Sequence, residues 1–526
     1  MSFGPALTAS LRATTLEVAS STTRYDAVVI GAGAAGGFAA QLLTEAGLCV
    51  LVLEAGLVRS PIGSLRRRLA RSLTGRVLGH AALAALDRRR HAIQTQCYAW
   101  PLAPDAFVDD LDCPYVTPPN HPFIWLRARR LGGRWTIPGH GRQYYRFGPD
   151  DLAPPDGLSS PWPLQSGELD HWYASVERRL KLLGRRDNLS WLPDSELSVV
   201  IEPTVTEAAL QRSISMRWSG AHPVLGRFAA PFDALEAAAR TGRLLIRSGA
   251  IARKIEVDKS GRVRGVIWID QRTRREERSP APLVFLCASA LESTRLLLLS
   301  QSPMGPGGLG AASGVLGHFL MDHIWVLMHG RVPTLTPEPA PEAGRCLYLP
   351  RFDARDLTVP GPNRGFGVQV IQESADDGSS HFLAVSFGEM LPRWENRVTL
   401  DPWRRDAWGI PVLHIDCCYS ETELSRARQQ VSALRDLAEV AGVTITHIDE
   451  MPALPGSAIH ECGTARMGNN PENSVLDPHC ECWEARGLFV TDAASFPSQG
   501  TQNPVLTILA LTARACDHAL RNVSAG

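Results

Sequence analysis

The sequence predicts an α/β protein in two parts. One domain is built on a mostly parallel sheet whose strands come from separated stretches of chain, and a second, smaller domain carries an antiparallel sheet and helices. Three observations predict this. A strand–turn–helix–strand unit fills residues Tyr25 to Glu54, strand–helix units recur near residue 283 and again late in the chain, and the stretch from Gly365 to Leu400 alternates apolar with polar residues. At 526 residues the chain is longer than one core usually organises.

In order along the chain, residues 1–23 are rich in Ser, Thr and Ala and lack a basic segment followed by an apolar core; a disordered tail is expected there, not a signal peptide. Tyr25-Asp-Ala-Val-Val-Ile30 is the β-branched apolar run of a buried parallel strand. Gly31-Ala-Gly-Ala-Ala-Gly36 follows at once, then a helical stretch from Phe38 to Ala46 stopped by Gly47, then a strand from Cys49 to Leu53 ending in Glu54. From Ser60 to Arg90, Ile62, Leu65, Leu69, Leu73 and Val77 recur at helical spacing among many arginines, which is expected to be the solvated face of an inserted helix. Pro/Gly-rich connections run from Ala153 to Pro163 and from Ser302 to Gly314. Leu283 to Ala288 reads as a buried strand and Leu291 to Ser300 as the helix after it, Phe366 to Ile371 as an antiparallel strand, and Glu421 to Ala441 and Val505 to Arg521 as helices. The expected division gives 24–160, 226–320 and 452–526 to the first domain, and 161–225 and 321–451 to the second.

Composition narrows the function classes. A formal net charge of zero gives no general electrostatic reason to bind nucleic acid. The 11 cysteines form no CxxC pair, so neither a zinc ribbon nor a thiol redox pair is supported and no metal site is expected. Reduced cysteines in apolar runs fit a cytoplasmic protein. No apolar run reaches the roughly 18 residues of a membrane span, so no transmembrane segment is expected.

The glycine motif gains its meaning from its setting. A strand precedes Gly31-x-Gly33-x-x-Gly36, a helix follows it, and an acid, Glu54, closes the next strand: this is a Rossmann-type dinucleotide fingerprint. Gly31 permits the tight turn, Gly33 lets backbone approach a pyrophosphate, and Gly36 lets helix and strand pack closely. The helix N-terminus offers free N–H groups and a positive partial charge to phosphates, and Ala34 and Ala35 of the motif are expected to lie against the cofactor. Glu54, followed by Ala55, is placed to accept hydrogen bonds from ribose hydroxyls. The motif alone does not separate FAD from NAD.

A second constellation lies late in the chain: Gly456-Ser-Ala-Ile-His-Glu-Cys-Gly-Thr-Ala-Arg-Met-Gly468, then Asn473-Ser-Val-Leu-Asp477, Gly487-Leu-Phe-Val-Thr-Asp492, and Gly500-Thr-Gln-Asn-Pro-Val-Leu-Thr507 before an apolar helix. Together with the βαβ unit, Arg130-Leu-Gly-Gly-Arg134, the stretch from Ala288 to Ser300, and Pro392 to Pro411 with its Glu-Asn-Arg-Val-Thr-Leu core, it resembles the glucose–methanol–choline (GMC) oxidoreductases, which are FAD enzymes. The resemblance implies a catalytic histidine at His460 and its partner at Asn503, in an Asn-Pro form similar to the pyranose oxidase and choline oxidase side of the family. It places Asp492 and Ala493 along the ribityl–phosphate region and Ile251 against adenine through its backbone. Gly133, Arg134, Thr136, Ile137, Ala288, Asn503, Pro504 and Val505 are the further positions it assigns to the cofactor. Histidines outside the motif, His318, His323 and His479, are read as structural.

Two departures from the family pattern shape the expectation. Where some members attach FAD through a histidine, this chain has Ile137, which cannot form that bond; His140 lies three residues on and would need a loop shift, so non-covalent FAD is expected. Trp135 also replaces a small hydroxyl residue common there. No cysteine occurs between Thr204 and Ile251, which leaves an iron–sulfur relay unsupported. The implied activity is oxidation of an alcohol to a carbonyl, with a sugar or glycoside hydroxyl as the leading candidate. Alternatives are a non-sugar alcohol of secondary metabolism, or a lyase of the same fold using FAD structurally. The electron acceptor, whether oxygen, a quinone or a partner protein, is left open.

Overall fold

The structure, a computed structural model, describes residues 24–57, 87–137, 140, 142–301, 305–333, 343–352, 364–374 and 379–524. The expected tail and most of the arginine-rich stretch lie outside the described residues.

The first sheet has six strands in the order Glu481–Cys482, Ala485–Val490, Leu283–Leu286, Ala27–Ile30, Val50–Glu54 and Leu244–Ser248. Every pairing is parallel except the edge hairpin of Glu481–Cys482 with Ala485–Val490. The three strands Leu283–Leu286, Ala27–Ile30 and Val50–Glu54 are buried at every position. Covered on both faces, they need apolar residues at consecutive positions, which is why they read as continuous runs.

Helix Ala34–Glu45 packs between helices Ala234–Arg240 and Val505–Ser524. It begins at Ala34, not at Phe38 as expected: Gly36 and Gly37 have poor helix propensity, but packing overrides it. A Cβ on Gly36 would stand 1.9 Å from the Gly31 carbonyl oxygen, so only glycine lets the helix leave the strand this tightly. Gly31 itself has φ +97°, and a Cβ there would meet the Cys287 carbonyl oxygen at 2.5 Å.

The second sheet is antiparallel, in the order Thr444–Ile448, His323–Pro333, Ser379–Glu389, Phe366–Ser374, Leu347–Phe352 and Val224–Leu225. Helix Glu421–Val440 covers one face. Its first turn is fixed by a capping box in which the Ser420 hydroxyl and the Glu423 carboxylate accept each other's backbone N–H. Strand alternation then sorts the side chains. Val326, Met328, Val368, Val370, Phe382 and Ala384 are buried with Leu434 and Leu437 of that helix. Their neighbours Trp325, Leu327, Leu383 and Val385 point the other way and stay partly accessible, lining a cavity shared with the first sheet. A smaller antiparallel sheet, Ala250–Val257, Val263–Asp270 and Glu276–Pro280, lies beside the first. Among the described residues no helix is long and apolar enough to cross a membrane.

Candidate active site

A cavity of about 690 Å³ runs from the glycine turn to the second sheet. Its walls include Gly31, Gly33, Ala34, Ala35, Glu54, Ala55, Gly133, Arg134, Ile251, Ala288, Asp492, Ala493, His460, Asn503, Pro504 and Val505. Residues expected from distant parts of the sequence therefore meet on one surface. Three expected cofactor positions are not on it. Gly36 is taken up by helix–strand packing. Thr136 closes the short turn Gly133–Thr136 by donating its hydroxyl to the Gly133 carbonyl, and Ile137 is fully buried in a separate cluster with Phe107 and Leu126. That turn carries the chain away from the cavity after Trp135.

At the glycine turn, Glu54 accepts from the backbone N–H of Ala32 at 3.0 Å and of Gly56 at 2.6 Å. Burial pushes its carboxyl up to about 7, and those two N–H groups oppose the shift. Asp492 accepts from the Ser293 hydroxyl and from Ala494 N, and burial raises it to about 6. Arg134 makes a two-pronged ion pair with Glu461, at 3.1 and 2.9 Å, and donates to the Ser289 hydroxyl.

His460 sits on a loop pinned from both sides. Asp322, fully buried at the start of the second sheet, accepts from the backbone N–H of Gly456 at 2.7 Å, Ala458 at 3.2 Å and His460 at 3.0 Å. Gln499 donates to the His460 carbonyl at 2.9 Å. Burial, with Glu461 adding to it, pushes Asp322 up to about 7.

The partners of the His460 ring fix where its protons lie. His323 Nε2 is 2.9 Å from the Gly500 carbonyl, which can only accept, so that nitrogen carries the hydrogen. Burial holds His323 down at about 4, so it is neutral and its Nδ1 is an acceptor. His460 Nδ1, 2.8 Å away, must then be the donor. The hydrogen-free nitrogen of His460 is Nε2, on the side of Asn503, whose Nδ2 is 3.4 Å from it. Gln369 Nε2 donates to Asn503 Oδ1 at 2.7 Å, which turns the Asn503 amide so that its N–H faces His460. Burial first, and then the neighbouring His323, Arg134 and His140, hold His460 well below the ordinary histidine value.

The three histidines read as structural divide. His318 stacks on Trp394 with centroids 3.6 Å apart, and His479 stacks on His518 at 4.0 Å, both away from the cavity. His323 is a correction: as the first residue of its strand it faces across the cleft and contacts the His460 ring directly. Sequence reading missed it because it lies outside the motif, and it missed Gln369 because nothing local marks that strand position. His140 also reaches the cavity wall, where its Nδ1 meets the Tyr98 hydroxyl at 2.8 Å.

A family model described as GMC oxidoreductase matches residues 392–512, a stretch that holds both His460 and Asn503. The 6'''-hydroxyparomomycin C oxidase of Streptomyces lividus is 26% identical over 94% of this chain and 90% of its own. Over residues 392–512 the chain is similar to the GMC oxidoreductases. A second relative is the 2-methyl-1,2-propanediol dehydrogenase of Mycolicibacterium austroafricanum, 32% identical over 51% of this chain; the match spans about half, 52%, of that relative. Among solved structures, pyridoxine 4-oxidase from Mesorbium loti shares the fold, with a TM-score of 0.60 and 19% identity over 94% of this chain and 98% of that one.

Proposed function

We propose that this chain is a GMC oxidoreductase that holds FAD along the cavity and oxidises an alcohol to a carbonyl, with His460 as the base. The cavity suits the cofactor. Helix Ala34–Glu45 opens on it with no side-chain cap and no acid in its first turn, so its N–H groups and positive end are free to meet a pyrophosphate. A Cβ on Gly33 would meet no protein atom within 4 Å, so the backbone there is open to the cavity. Glu54 lies within the same wall to take ribose hydroxyls, Ile251 is on the adenine side, and Asp492 and Ala493 take the ribityl–phosphate region. Binding is non-covalent: Ile137 has no nucleophile and packs elsewhere. The chemistry FAD would supply here is that of a hydride acceptor for the alcohol carbon.

The observation that carries this reading is the chain of contacts Gly500–His323–His460–Asn503, which leaves His460 Nε2 as the hydrogen-free nitrogen, 3.4 Å from Asn503 Nδ2. His460 Nε2 takes the hydroxyl proton. Asn503 Nδ2, oriented by Gln369, donates to the oxygen as negative charge gathers on it. His323 keeps His460 Nδ1–H engaged before and after the transfer, so the ring need not turn. The names of relatives, a 6'''-hydroxyparomomycin C oxidase and a 2-methyl-1,2-propanediol dehydrogenase, support a small alcohol as substrate, with a sugar or glycoside hydroxyl as the leading candidate. Eleven cysteines without a disulfide among them support a reducing, cytoplasmic setting.

The test is anaerobic mixing of the yellow holoenzyme with a panel of sugars, glycosides and aliphatic alcohols. Bleaching of the flavin in the parent, with about a 10²–10⁴-fold slower bleaching in His460→Ala at equal flavin content, is the expected result. An alanine variant that bleaches at the parent rate would remove His460 from the mechanism.

A further inference from the structure

We infer that the substrate presents its hydroxyl on an apolar body, an alkyl or aryl group that lies on the second sheet; the inference rests on the alcohol-oxidising reading above. The cleft face of that sheet is set by strand alternation. Trp325 and Leu327 come from one strand, Leu383, Val385 and Phe387 from its neighbour, and Ile371 from the next, and all six line the cavity that contains His460 and Asn503. The alternate residues are already buried against helix Glu421–Val440, so these six are not needed for that core. Five of them, Trp325, Leu327, Ile371, Leu383 and Val385, remain partly accessible although large and apolar. A contiguous apolar surface left open inside a cleft marks a ligand's contact area.

The polar residues on this face do not change the conclusion. Gln369 is engaged by Asn503, and His329 is exposed at the far end of its strand. Trp325 Nε1 is itself buried and has no hydrogen-bond partner among the described residues, so it adds no accessible polar atom to this face. No carboxylate stands among these sheet positions to receive the hydroxyls or amines of a bare polar ring. A free sugar lying here would leave several hydroxyls without partners, whereas an alkyl or aryl group would cover the floor and need none.

Two sources share this chemistry: a glycoside, whose sugar would sit by His460 with its apolar aglycone on the floor, and a simple alkyl or aryl alcohol. Two series tell them apart, 1-propanol to 1-heptanol and methyl to hexyl β-glucoside, each mixed anaerobically with the holoenzyme. Flavin reduction gives kcat/KM, and the shift of the flavin absorbance on binding gives Kd without turnover. In the series that contains the substrate type, affinity and kcat/KM should rise about fourfold per methylene, the equivalent of about 0.8 kcal/mol each, until the floor is covered. Val385→Asp should flatten that rise and Val385→Leu should keep it. Binding that strengthens with chain length but never bleaches the flavin would uphold the apolar floor and sink the alcohol oxidation. A flat response in both series, or glucose used as well as hexyl glucoside, would overturn the inference itself.

Discussion

Replacing His323 by leucine tests the proton arrangement at the site. The two side chains are similar in size, but leucine offers no acceptor to His460 Nδ1–H, now 2.8 Å from His323 Nδ1, and no donor to the Gly500 carbonyl at 2.9 Å. Leaving the buried His460 N–H without a partner costs about 1–3 kcal/mol. That energy is what favours the form with Nε2 free. Without it, His460 shifts toward the form that carries its hydrogen on Nε2 and cannot take a proton. The working fraction should fall about fivefold to a hundredfold, and the limiting rate of flavin reduction with it. Stopped-flow absorbance under anaerobic conditions reads this rate, and the flavin-to-protein ratio confirms that FAD remains bound. His323→Gln retains an acceptor and should recover part of the loss. His323→Asp puts a carboxylate beside the ring, which should raise the His460 pKa and move the acid limb of the rate toward neutrality. If His323→Leu holds FAD and reduces it at the parent rate, the tautomer argument is wrong.

Other perturbations follow from the same contacts. Gln369→Leu frees the Asn503 amide to rotate and should slow flavin reduction about five- to thirtyfold, the loss of one hydrogen bond and its orientation, measured at saturating alcohol. Because burial lowers both His460 and His323, to about 4 for the latter, kcat/KM should stay level as pH falls through 6.5 and decline only well below it; an acid limb at 6.5 would contradict the buried, neutral pair. The same shifts mean that the folded state binds fewer protons than the unfolded one, so the stability these rings contribute is complete above about 6.5 and is lost as pH drops toward 4. Glu54→Leu should weaken FAD binding by about 1.5–3 kcal/mol and Glu54→Gln by less, with melting temperature falling in that order and partly restored by added FAD; equal affinities would refute the ribose role.

What could be read in the sequence was what is written contiguously. The strand before Gly31, the glycine turn and Glu54 form one local unit, and the segment around His460 and Asn503 lies within one late stretch of chain. His323 and Gln369 carry no such mark. Alternation shows that a strand has two faces, but which face is open depends on where helix Glu421–Val440 docks, a tertiary fact. Thr136 and Ile137 were assigned by position in a resembling loop, and the turn Gly133–Thr136, which Thr136 itself closes, leads the chain away from the cavity at Ile137. The helix start at Ala34 was lost to local propensity, because two glycines that weaken an isolated helix are the residues that let this one pack.

The strand order of the first sheet has a consequence for how the protein is made. Leu283–Leu286 separates Ala27–Ile30 from Ala485–Val490, so the sheet joins strands more than 450 residues apart through one that lies between them in sequence. Such pairings are slow to form, because a long loop must be closed before any contact repays it. On the ribosome Ala27–Ile30 gains its neighbour Val50–Glu54 early and Leu283–Leu286 later, but the outer edge of Leu283–Leu286 stays unpartnered until Ala485–Val490 has emerged. A message truncated shortly before Ala485 would therefore yield a chain with the fingerprint intact and the His460 loop present, yet with an open sheet edge in place of the cofactor cradle. Such a chain would be a client for chaperones or proteases, not a weak enzyme.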